Sequence, residues 1–236
     1  MDDGAFSKAA KHLLSTGLHD SADIEVRKAL EALHPAREPI AEEFPKEMWP
    51  LDTSPEGQRA RLKALKQSIL QFPLGSAAGP SGLRPQHLQD IIRKDAGIAA
   101  LLLEALDEFC ITALRGNLHM EAAPYLCGAK LIPLNKPGSK MAVRPIAVGE
   151  SLRRLVGKTV MASPAVQDAV TNMLPLQLGV AVEGACETTT IAMQHWVNEH
   201  RADRYWAVLQ VDLTNAFNSI DRRSMLAEVA TRAPKL

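Results

Sequence analysis

The chemical reading of this chain begins at an aspartate that closes an apolar run. Tyr205-Trp206-Ala207-Val208-Leu209-Gln210-Val211 has strand character and delivers Asp212 at its carboxyl end. A carboxylate so placed can face solvent while the residues before it are buried. Nucleotidyl transfer uses such carboxylates, because two Mg²⁺ ions activate the attacking hydroxyl and stabilise the leaving oxygen, and oxygen ligands hold each ion. Asp212 is therefore the candidate catalytic and metal-binding residue, and the Leu213 carbonyl offers one more oxygen. The turn Thr214-Asn215-Ala216-Phe217 presents consecutive backbone N–H groups to a triphosphate. Phe217 would pack beneath the sugar and exclude a 2′-hydroxyl by its bulk. An aspartate between a strand and a helix is often only a cap. The whole run D-x-x-x-A-F-x-x-I-D is far more specific than D-L-T alone.

Residues 205–222 resemble motif A of reverse transcriptases, of the kind carried by non-LTR retrotransposons and group II introns. Asp212 matches the metal aspartate of that family and Phe217 its steric gate, while Asn218 stands where an aspartate is often found. Upstream, Ala129-Lys130-Leu131-Ile132-Pro133-Leu134-Asn135-Lys136-Pro137-Gly138 and then Val143-Arg144-Pro145-Ile146 resemble the two finger strands of these enzymes. The resemblance implies that Arg144 contacts the incoming triphosphate with Lys130 nearby. An Arg fork grips phosphate oxygens bidentately and a Lys adds a point charge. Lys136 and Lys140, at the hairpin turn, either touch the template backbone or are merely solvated. Ser151 to Lys158 follows as the family's next helix does, and Arg153, Arg154 and Lys158 face template phosphates or form a solvated helix face. Leu176-Gln177-Leu178-Gly179-Val180 resembles the family's Q-x-G element, in which Gln177 would position template or primer. Gly179 needs no role beyond a turn.

The resemblance implies an RNA-directed DNA polymerase with Mg²⁺ as cofactor and an RNA template, a DNA primer and deoxynucleoside triphosphates as partners. The fold expected is α+β and helix-rich: a truncated right-hand polymerase comprising fingers and the first palm strand. Residues 1–70 would form a helical amino-terminal extension with a Pro-rich linker, 71–204 the fingers region, and 205–236 the start of the palm. No x-D-D element follows Asp212, and the remaining palm and the thumb are missing, so a fragment inactive by itself is expected. The alternatives are a non-catalytic nucleic-acid-binding remnant or a fragmentary gene model. Gly75 to Gly82 is not a phosphate loop, since it lacks the G-K-[ST] ending and Pro80 removes a backbone donor. A similar G-P-S-G stretch opens the fingers region in the resembling family.

Several elements must position these residues. Apolar spacing predicts a helix over 5–14 and a second, capped by Ser21, through Leu33. Pro39, Pro45, Pro50 and Pro55 mark a linker. Helices follow from Pro55 or Glu56 to about Leu70, over 85–94 and over 98–115. Leu126–Leu134 and Ala142–Val148 read as strands joined by a turn. Helices are expected from Ser151 to about Ala165 and from Gly184 to Arg201, then a strand over Trp206–Val211. A last helix is capped by Asp221.

Composition sets the outer bounds. With 46% apolar residues among 236, the chain can build a core. Lys plus Arg equal Asp plus Glu at 27 each, a balance that counts mildly against an autonomous nucleic-acid module. Cys110, Cys127 and Cys186 have no metal-ligand spacing, and His195 and His200 read as surface or packing residues. No signal peptide or membrane-spanning run is visible, so an intracellular place, nucleus or cytoplasm, is expected.

Overall fold

A computed structural model describes residues 17–34, 36, 52–135 and 142–232. The expected helix at 5–14, most of the linker, and the hairpin turn with Lys136 and Lys140 lie outside those residues. The chain forms two compact units, residues 1–157 and 158–236. The described residues build helices and one two-stranded antiparallel sheet, the helix-rich α+β class expected.

In the first unit, α1 spans Ile24–Ala32. Its cap is Asp23, whose carboxylate accepts the Glu25 N–H at 2.8 Å, and not Ser21. Three residues able to cap, Asp20, Ser21 and Asp23, lie within four positions here, and Asp20 is used in the turn instead, accepting the Ala22 N–H. Helix α2 spans Pro55–Leu70, with the Ser54 hydroxyl accepting the Gly57 N–H and Pro55 in the first turn. Helix α3 spans Pro85–Lys94 and α4 spans Ala96–Leu114. Asp95 separates them and accepts the N–H groups of Gly97 and Ile98.

These helices share a core of Leu65, Ile69, Leu88, Ile92, Leu103 and Leu106, joined by Leu155 from α6 (Ser151–Met161). Helix α2, expected in an amino-terminal extension, thus packs with the helices expected in the fingers. Two polar groups are built into this core. The Gln89 amide donates to the Ile69 and Phe72 carbonyls at 3.0 and 2.9 Å, tying α3 to the backbone where α2 ends. The Arg61 guanidinium reaches both carboxylate oxygens of buried Asp107, at 3.1 to 3.3 Å.

A short helix, α5 (Ala123–Cys127), occupies residues expected to begin a strand. Pro124 suits a first helical turn, and the chain becomes extended only at Gly128. Strands β1 (Ala129–Asn135) and β2 (Val143–Gly149) then pair antiparallel.

Helix α6 stops short of the expected Ala165. Ser163-Pro164 interrupts it and starts α7 (Pro164–Asn172), with the Ser163 hydroxyl accepting the Val166 N–H. In the second unit α8 spans Ala185–His200, α9 Ala216–Ser219 and α10 Arg222–Arg232. Asp221 caps α10 as expected, accepting the Ser224 N–H at 2.7 Å. The strand expected over Trp206–Val211 is not formed: the segment runs without a ladder partner among the described residues. Strand conformation is held by a neighbouring strand's hydrogen bonds, and β-propensity alone does not supply one.

Candidate functional site

The hairpin carries the first part of the site. Pro133 pairs with Pro145 and Leu134 with Arg144. Neither proline has an N–H, so their pair sits between hydrogen-bonded pairs, where the ladder needs none. The Pro133 carbonyl instead turns outward and accepts the His19 N–H at 3.0 Å, while the Asn135 N–H donates to the Gly17 carbonyl. The pleat puts Lys130, Ile132, Leu134, Arg144, Ile146 and Val148 on one face. On the other, Val143 buries against Val26 and Leu30 of α1. Helix α1 thus covers the face opposite the two cations. Lys130 and Arg144 are exposed, and neither makes an ion pair among the described residues. The register sets them four residues apart along the strand, about 13 Å between backbones. Two long cationic side chains on one open face can grip the separate phosphates of one polyphosphate.

The base of the hairpin is clamped to the small-residue loop. Glu150, buried where β2 meets α6, accepts the Ser81 N–H and the Ser81 hydroxyl, both at 2.6 Å. The Ser81 hydroxyl, followed by its N–H, holds the Glu150 carboxyl below the usual carboxylate range, against the opposing effect of burial. The Ser151 hydroxyl donates to the Leu83 carbonyl at 2.5 Å. Arg154 donates to the Ala77 carbonyl at 2.5 Å and stacks over Phe72 at 5.9 Å. A Cβ on Gly79 would lie 2.7 Å from the Glu150 Cα, which is why glycine stands there. With a carboxylate on its N–H, this loop is no anion cradle. Arg153 donates to the Cys127 carbonyl at 3.0 Å from an exposed position. Of the two arginines, Arg154 is committed to holding the loop, whereas Arg153 remains open to solvent.

The remaining candidates lie in the second unit. The Gln177 amide closes its own turn, donating to the Val180 carbonyl and accepting the Val180 N–H at 3.0 and 2.8 Å. Asp212 and Leu213 are exposed at the end of the unpaired segment. Asn215 takes a left-handed conformation, φ 54°, and starts α9 with Ala216 and Phe217. Phe217 is 98% exposed, so its ring is a free wall and not a core residue. The Asp212 carboxylate and the Leu213 carbonyl are hard oxygen donors suited to Mg²⁺. Among the described residues, however, no three acidic, histidine or cysteine side chains gather, so these groups do not make a two-metal centre.

The described residues therefore put Lys130 and Arg144 on one face of the hairpin, and keep Asp212 close in sequence to Asn215, Ala216 and Phe217, each set within its own unit. In the sequence, the only sign of the Glu150–Ser81 clamp is the small-residue loop. No helix among the described residues is long and apolar enough to cross a membrane. No protein-family model, curated protein or solved structure matches this chain.

Proposed function

We propose that this chain is part of an RNA-directed DNA polymerase whose β1–β2 hairpin binds the phosphates of a deoxynucleoside triphosphate. The observation that carries the reading is the shared open face of Lys130 and Arg144, in a hairpin whose residues resemble reverse transcriptase finger strands. Arg144 supplies the bidentate fork and Lys130 the point charge. The polymerase fold is part of the proposal, with residues 205–222 as its motif A and Phe217 as the wall against a 2′-hydroxyl. Lys136, Lys140, Arg153 and Gln177 would contact an RNA template or DNA primer.

Chemistry by these 236 residues alone is not proposed, because Asp212 stands without partner carboxylates among the described residues. The chain should bind a triphosphate and fail to extend a primer. The test titrates it with a fluorescent deoxythymidine triphosphate. Arg144→Ala should weaken binding about tenfold or more, the range for a charge-assisted bond, and Lys130→Ala somewhat less. Unchanged binding in both variants would sink the reading. In a longer chain that adds the second carboxylate element, Asp212→Ala should abolish primer extension.

A further inference from the structure

The end of α8 and the turn after it carry an aromatic cluster to whose rings the polymerase reading assigns no contact. Trp196 and His200 stack at 4.6 Å between centroids, one helical turn apart. Trp206 folds back and meets both rings edge-on, at 5.9 and 5.5 Å. Asp203 fixes the return by accepting the Tyr205 N–H at 2.9 Å. Despite these contacts Trp206 is 59% exposed and Tyr205 is 87% exposed. Arg204 lies over the Tyr205 ring at 5.8 Å, and neither it nor Arg201 makes an ion pair among the described residues. A cluster that served packing alone would bury its rings, since exposed aromatic surface adds nothing to stability. Here two adjacent rings remain open, beside cations that no carboxylate among the described residues neutralises.

We infer that Trp206, backed by Trp196 and His200, and its neighbour Tyr205, with Arg204 over its ring, form a stacking platform for the bases of a single-stranded nucleic acid. Every base has a π-face, so aromatic stacking tolerates any sequence, and a nearby guanidinium serves the backbone. The class of ligand rests on the nucleic-acid reading above; Tyr205 and Trp206 open the segment read there as motif A, and the platform gives their rings a contact that reading does not assign.

The test titrates the full chain with an oligothymidylate single strand. Trp49→Phe is the background, so that emission reports Trp196 and Trp206. Binding should quench that emission. Trp206→Ala and Tyr205→Ala should each weaken binding about tenfold, the usual loss for one stacked base. Trp206→Phe, which keeps a ring, should retain most of the affinity, and its recovery separates lost stacking from lost folding. Arg204→Gln should flatten the salt dependence. Absence of binding at low salt, or binding without quenching that ignores Trp206 and Tyr205, would overturn the platform. If triphosphate binding still depends on Arg144 in that case, the hairpin reading stands alone. If the single strand senses Trp206 while the triphosphate ignores Arg144, the platform stands and the hairpin reading fails.

Discussion

At the scale of single residues, the fit between Gly79 and Glu150 is one of backbone against backbone. A methyl group at Gly79 would meet backbone atoms, the Glu150 Cα and N and the Gly149 O at 2.7 to 2.9 Å, and backbone cannot rotate away. Gly79→Ala should therefore destabilise the unit by roughly 1–3 kcal/mol, the usual cost of overpacking. Urea denaturation with an unchanged slope would show it, and an unaltered midpoint would mean the loop has room to shift. Glu150 makes a second prediction, in pH. Its carboxyl binds a proton less readily folded than unfolded, because Ser81 serves the charged form. Its contribution is therefore complete above the ordinary carboxylate value and is lost as pH falls through the lower, folded value. Glu150→Gln should be less stable at neutral pH, and its stability should fall less than that of the parent on acidification. Parallel stability–pH curves for parent and variant would rule out this role.

At the scale of elements, α6 shows how a helix can be legible while its duties are not. Its start at Ser151 and its basic residues read directly from the sequence. That Arg154 holds the Ala77 carbonyl does not, since the two are 77 residues apart. Arg154→Ala should cost roughly 1.5–3 kcal/mol in ligand-free denaturation, as for a lost charge-assisted bond, while Arg153→Ala costs little. Equal effects of the two would assign them the same role. The same division between local and distant contacts runs through the other elements. Pro55 and Asp221 mark helix starts in the sequence because the signal is local, as in the Asp221 carboxylate accepting an N–H three residues on. The hairpin was legible because turn residues separate two short apolar runs. Trp206–Val211 has every local mark of a strand but no neighbouring strand among the described residues, and locality cannot provide one. Within the site, residue identity pointed to Lys130 and Arg144, but only the register places them on one face.

At the scale of the molecule, the two units differ in how much they bury. The first surrounds Leu65, Ile69 and Leu155 with helices from four stretches of sequence and seats the Arg61–Asp107 pair at its margin. In the second, α8, α9 and α10 contain no buried residue. Local opening costs little where few apolar contacts must be broken. Amide hydrogen exchange should therefore be slow in α2, α3 and α4 and fast in α8, α9 and α10, and limited proteolysis should cut within residues 185–232 first. A nucleic acid that binds the folded second unit must raise its apparent stability by mass action. Adding a single strand should slow exchange around residues 196–206, whereas a triphosphate held by the hairpin should protect residues 129–149. Because the chain carries 27 basic and 27 acidic residues, this protection should arise from a few local cations and weaken with added salt at a shallow slope set by their number. Exchange equally slow in both units before any ligand is added would contradict the contrast in burial from which the prediction follows.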